Sequence, residues 1–178
     1  MNTDFLLSHL RNIPDFPKPG IQFKDVSTLY KDAECLRIIS DEMYHKYKDR
    51  GITKVVGIES RGFVLGAILA ARLRAGFVMC RKPGKLPATT ISTSYEKEYG
   101  TDALEIHTDS IETGDVVLIH DDLLATGGSM KAVCELVKQF HPKSIIADCL
   151  IELRIEGLRG REFLSSAFEL NTMLTIEE

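Results

Sequence analysis

The chain has 178 residues, 44% of them hydrophobic and 27% charged, with a formal net charge of −4. That size and balance suit one globular domain with a full core, while the acidic excess and the lack of a long basic tract argue against nucleic acid as its main partner. The longest apolar run, residues 62–71, is too short for a bilayer, so no membrane partner is expected either. Cys35, Cys80, Cys134 and Cys149 show no CxxC or Cys/His metal spacing, and three of them fall within apolar runs and read as small core residues. With no signal-peptide pattern at residues 1–11, a cytoplasmic location is expected.

Strands and helices alternate along the chain. Residues 3–12 suit a short helix ending before the turn-rich Pro14-Asp15-Phe16-Pro17-Lys18-Pro19-Gly20. A second helix covers about 32–49, with Leu36, Ile39, Met43 and Tyr47 on one face. Residues 54–58 read as a buried strand and 62–74 as a helix packed closely through glycine and alanine. The next strand is 77–80, followed by a basic loop at 81–88 rich in Pro and Gly. Residues 89–95 and 103–107 alternate as an antiparallel pair around a polar tip. A strand at 116–120, a helix from about 128 to 140 and a strand at 144–153 complete the core. Such strand–helix–strand units predict an α/β fold, a mostly parallel twisted sheet with helices on both faces. Ligands of these sheets bind beyond the carboxyl ends of the strands. Both Glu59-Ser60-Arg61-Gly62 and residues 121–129 lie at such ends and are expected to face one cleft.

The run Val116-Val117-Leu118-Ile119-His120-Asp121-Asp122-Leu123-Leu124-Ala125-Thr126-Gly127-Gly128-Ser129 carries the strongest chemical signal. An apolar strand ends in two carboxylates, and a small-residue turn then opens an amphipathic helix. Glycines, two hydroxyls and unpaired N–H groups at a helix start are equipment for an anion. Asp121 and Asp122, on the rim of that turn, could accept hydrogen bonds from a diol or help to hold a divalent cation. A phosphate below and a diol above describe a ribose 5-phosphate. Two other phosphate motifs are excluded. Residues 57–64 have the glycines of a P-loop but Phe63 where its lysine must be, and no GxGxxG follows a strand.

Residues 121–129 resemble the phosphoribosyl-pyrophosphate signature of type I phosphoribosyltransferases. Pro14-Asp15-Phe16-Pro17, Pro19-Gly20-Ile21-Gln22-Phe23-Lys24-Asp25, Glu59-Ser60-Arg61-Gly62-Phe63, Arg81-Lys82-Pro83-Gly84-Lys85-Leu86-Pro87 and Glu98-Tyr99-Gly100 precede it in the order found in adenine phosphoribosyltransferases. The resemblance implies a dimeric, magnesium-dependent cytosolic salvage enzyme that joins adenine to 5-phosphoribosyl 1-pyrophosphate, releasing AMP and pyrophosphate. It implies one domain over 1–178: a hood or base-binding segment at 1–30, a core at 31–153 with a flexible β-hairpin loop at 81–107, and an extension at 154–178. By the same resemblance, Asp121, Asp122, Ala125, Thr126, Gly127, Gly128 and Ser129 hold the ribose 5-phosphate. Glu59, Ser60, Arg61, Arg81, Lys82 and Lys85 take the pyrophosphate, with an unusual peptide conformation before Arg61. Gln22, Phe23, Lys24 and Leu153 receive adenine. Glu98, beside Tyr99 on the loop, handles the purine proton, and Arg61 supports the departing charge. Relatives acting on 6-oxopurines carry an aspartate where this chain has Ala125, which leaves the proton to Glu98. No direct protein ligand for magnesium is implied; the ion is carried mainly by substrate, with Asp121 or Asp122 reaching it through water.

Overall fold

In a computed structural model the described residues are 2–97, 100–155 and 157–177, and the chain divides into two compact units, residues 1–46 and 47–178. The first unit begins with α1 (Thr3–His9), whose first turn is capped by the Asn2 side chain accepting from Phe5 N–H. The helix stops three residues earlier than its pattern predicts. Leu10 turns extended, and β1 (Arg11–Pro14) pairs antiparallel with β2 (Gln22–Asp25). Ile13 precedes a proline, a position biased toward extended backbone, and the partner strand then takes up the freed backbone groups. The turn between them is fixed by Gly20 at φ +88, whose N–H donates to Asp15 Oδ1 at 2.7 Å. A short α2 (Ser27–Lys31) leads to α3 (Ala33–Tyr47). The buried stripe of α3 is Cys35, Ile39, Met43 and Tyr47, with Leu36 only half-buried.

The second unit is built on five parallel strands: β3 (Lys54–Ile58), β4 (Gly76–Cys80), β7 (Val116–Leu124), β8 (Ser144–Arg154) and β9 (Glu169–Glu177). Their order is β4-β3-β7-β8-β9, and every neighbouring pair is parallel. Val55, Val56, Val117, Leu118 and Ile119 are fully buried, so both faces of β3 and β7 are covered. From β3, helix α4 (Gly62–Leu73) leads outward to β4; from β7, helix α5 (Gly128–Lys138) leads the other way to β8. With crossovers of one hand, opposite directions put α4 and α5 on opposite faces of the sheet. The antiparallel hairpin β5 (Thr90–Lys97) and β6 (Gly100–His107) packs over the α5 face. Leu104 and Ile106 join Val117, Ile119, Met130, Val133 and Leu136 in that core. All four cysteines are buried free thiols. Among the described residues no helix is long and apolar enough to cross a membrane.

Two sequence expectations change here. The strand bearing the carboxylates does not end at His120. It runs to Leu124, because β8 continues to Arg154 and keeps the ladder going past Asp121, which lies opposite Cys149. Asp122 is therefore a buried strand residue rather than a rim residue. Residues 154–178, expected as an extension, supply α6 (Gly160–Ser165) and the fifth strand β9. Glu152 ties them in. It accepts from Arg161 Nε at 2.7 Å and from Thr172 Oγ1 at 3.0 Å, and these bonds, led by Arg161, outweigh burial and hold its pKa down at about 2.

Candidate active site at the switch point of the sheet

The two crossovers leave β3 and β7 in opposite directions, so the gap beyond their carboxyl ends is the switch point where open α/β sheets bind ligands. Gly62, first residue of α4, makes the closure possible: a Cβ there would lie 2.6 Å from His120 O and 3.2 Å from Asp121 Cα. Glycine thus lets the α4 start touch β7 and brings residues 59–61 beside the aspartates. The Glu59–Ser60 peptide is cis, in the stretch expected to have an unusual conformation. A cleft of about 560 Å³ opens at this point, lined by Glu59, Ser60, Arg61, Lys82, Asp121, Asp122, Leu123 and Ser129.

Electrostatics divide the cleft into two halves. Arg61 Nε lies 2.7 Å from Asp122 Oδ2. This is a charge contact without an aligned hydrogen bond, so that buried oxygen has no donor among the described residues. Asp121 Oδ1 accepts from Asp122 N–H at 2.9 Å. Burial, and then the neighbouring Asp122 carboxylate, raise the Asp121 pKa well above the usual range. On the other side, Glu59 Oε2 accepts from Lys82 N–H at 2.9 Å and from Arg81 Nε at 3.2 Å. Burial alone would raise Glu59, but these two donors outweigh it and keep its pKa low. Glu59 therefore acts as a tether for the basic loop. Lys82 reaches the cleft, whereas Arg81 and Lys85 are not among its lining residues; the Arg81 guanidinium spans Glu59 and Lys85 O.

The turn after β7 has the form of an anion cradle. Gly127, at φ +80, caps α5 with no side-chain hydrogen bond, so the first N–H groups of an eleven-residue helix point outward unpaired by any cap. Ser129 faces the cleft, while Thr126 and Gly128 line an adjoining hollow with Lys131, Arg159 and Phe163. This turn rests on a residue that the sequence reading missed. Gly160, at the start of α6, packs so closely that a Cβ on it would collide with Ala125 O, and a Cβ on Gly127 would lie 3.0 Å from Gly160 O. A lone glycine nine residues before β9 gives no such signal in one sequence.

Gln22, Phe23 and Lys24 lie on β2 in the first unit, where Phe23 meets Phe16 edge-on at 5.1 Å and Lys24 is buried. Leu153 lies near the end of β8 in the second unit. Glu98 and Tyr99 lie outside the described residues.

The sequence profile of the Phosphoribosyl transferase domain matches residues 25–171. The chain is 56% identical over 176 residues to the adenine phosphoribosyltransferase of Bacteroides thetaiotaomicron, covering 99% of each. The chain belongs to the phosphoribosyl transferase family, among its adenine phosphoribosyltransferases. Solved relatives share the whole architecture. The crystal structure of the Rhodothermus marinus adenine phosphoribosyltransferase superposes with a TM-score of 0.90 at 47% identity, over 98% of both chains. The Giardia lamblia APRTase complexed with 9-deazaadenine gives 0.93 at 40% identity, over 100% of this chain and 99% of that one.

Proposed function

We propose that the protein transfers the 5-phosphoribosyl group of 5-phosphoribosyl 1-pyrophosphate to adenine, yielding AMP and pyrophosphate, in purine salvage. One observation carries the reading: the switch-point cleft gathers Glu59, Ser60, Arg61, Lys82, Asp121, Asp122 and Ser129 around one volume. The 5-phosphate sits on Ala125, Thr126, Gly127, Gly128 and Ser129, held by the α5 N–H groups and two hydroxyls. Asp121 and Asp122 accept the ribose hydroxyls. The Ser60-Arg61-Gly62 turn and the Arg61 guanidinium, joined by Lys82, Arg81 and Lys85, receive the leaving pyrophosphate. The anomeric carbon–oxygen bond breaks with its electron pair on pyrophosphate, the bond to adenine N9 forms, and the N9 proton passes to Glu98. Gln22, Phe23, Lys24 and Leu153 hold the base, and Ala125 leaves the phosphate loop without a carboxylate for a 6-oxopurine.

Among the described residues no three His, Cys, Asp or Glu side chains are grouped to hold a metal ion. Asp121 and Asp122 still offer two carboxylates, one with a buried oxygen lacking a donor. That donor set fits a magnesium ion reached through water, with waters and substrate phosphates as its direct ligands. When bound, it would neutralise charge on the pyrophosphate. The protein is further proposed to work as a homodimer in the cytosol, in keeping with its family and its four buried free thiols. A base panel tests the substrate assignment: adenine is expected to be turned over far faster than hypoxanthine, guanine or xanthine, and a preference for any of these would refute it.

A further inference from the structure

Glu105 belongs to none of the groups that take substrate, yet its bonding is directed at one target. It sits on β6 between the buried Leu104 and Ile106, and is itself buried. Oε1 accepts from Gly84 N–H at 3.1 Å and from Leu86 N–H at 3.4 Å, and Oε2 accepts from Thr90 Oγ1 at 3.2 Å. Its backbone exchanges two hydrogen bonds with Arg81, at 3.0 and 2.7 Å. Every one of these partners lies in or next to the segment that carries Arg81, Lys82 and Lys85.

The local backbone explains why a carboxylate is needed. Lys85 N–H closes a turn onto Lys82 O at 3.3 Å, and Gly84 takes φ +76. Such a turn aims the N–H groups of residues 84 and 86 to one side, a concavity that binds anions. Here the anion is the protein's own. Charge-assisted hydrogen bonds to a buried carboxylate are stronger than neutral ones, so Glu105 fixes the inner side of the turn while Glu59 holds Lys82 N–H and Arg81 from the cleft side.

We propose that Glu105 is a positioning residue for the reaction: its carboxylate, seated in the turn at residues 82–86, sets the conformation in which the basic loop presents its cations to the pyrophosphate group. The proposal rests on the assignment of that loop to pyrophosphate. It predicts that removing the carboxylate loosens the loop and selectively impairs use of 5-phosphoribosyl 1-pyrophosphate, without the charge of Arg81, Lys82 or Lys85 being changed.

The test compares E105A, E105Q and T90V. Two readouts are taken on the whole protein: steady-state kinetics with each substrate varied, and the rate of tryptic cutting at Lys85–Leu86 followed by mass spectrometry of that peptide. E105A is expected to cut about 10–100-fold faster, the shift in local opening for loss of charge-assisted hydrogen bonds. Its kcat/KM for 5-phosphoribosyl 1-pyrophosphate should fall about 10–100-fold, as for a misplaced binding group, with the KM for adenine little changed. E105Q should recover much of both, since its amide oxygen still accepts from residues 84 and 86 and its NH2 can donate to Thr90. T90V, which removes one bond and keeps the carboxylate, should move both readouts in the same direction by less, and covers the case in which E105A does not fold. Unchanged cutting in folded E105A would overturn the anchoring role. Faster cutting with unchanged kinetics would overturn the positioning role and with it the loop's assignment to pyrophosphate, while AMP formation by the parent protein would show the overall reaction intact.

Discussion

Replacing Gly160 with alanine tests whether the C-terminal segment shapes the phosphate cradle. The new Cβ would sit well inside contact distance of Ala125 O and 3.1 Å from Cγ and Cδ1 of Leu124. Backbone cannot yield as a flexible side chain would, so either the 125–128 turn or the start of α6 must move by roughly 1 Å. Overpacking of this kind costs about 1–3 kcal/mol. A displacement of about 1 Å in a binding group costs on the order of 100-fold in rate. Because the Glu152–Arg161–Thr172 bonds, converging on the buried Glu152, hold α6 in place, the turn is expected to give way. Kinetics with 5-phosphoribosyl 1-pyrophosphate varied should therefore show a fall of about 100-fold in kcat/KM, alongside a lowered unfolding temperature by calorimetry. A drop in unfolding temperature with unchanged kinetics would mean that α6 yields instead, and would refute the claim that Gly160 holds the cradle.

Further outcomes follow from the same geometry. Replacing Asp121 and Asp122 together with alanine should leave a folded protein whose calorimetric affinity for AMP is weakened by about 1.5–3 kcal/mol for each charged hydrogen bond lost. Gly127→Val should abolish turnover, because φ +80 is denied to a β-branched residue and the Gly160 carbonyl leaves its side chain no room. Glu98→Gln should slow single-turnover AMP formation by roughly 100-fold or more, with affinity for 5-phosphoribosyl 1-pyrophosphate kept. Glu152 is held at about 2 against an ordinary 4.5, so its contribution of about 3 kcal/mol is present above pH 4.5 and lost as pH falls toward 2. Arg161→Ala should flatten that acid limb of the stability curve measured by urea titration.

Much of the core was legible because buried parallel strands write continuous apolar runs. Lys54–Ile58 was read with its observed bounds, and the α4 and α5 patterns to within two residues. The glycine and hydroxyl chemistry of residues 125–129 was local and could be read directly. Long-range partnerships were hidden. Whether β7 stops at His120 or runs on to Leu124 depends on the length of β8, and nothing in residues 121–124 records it. β9 is an edge strand with a mixed sequence, Glu169-Leu170-Asn171-Thr172-Met173-Leu174-Thr175-Ile176-Glu177, and only Leu174 is buried. It lacks the apolar run that exposes a central strand. The β1–β2 hairpin was masked by helix-compatible residues at 11–13 and a seven-residue connection, longer than a tight turn. Gly160 and Glu105 act through partners 35 and about 20 residues away in sequence, so no local pattern marks them.

The most direct measurement is product formation by the purified protein given adenine, 5-phosphoribosyl 1-pyrophosphate and magnesium. AMP and pyrophosphate should appear in equal amounts at a rate that saturates in both substrates and falls when magnesium is chelated. Folded protein that forms no AMP across a range of magnesium concentrations would contradict the proposed transfer.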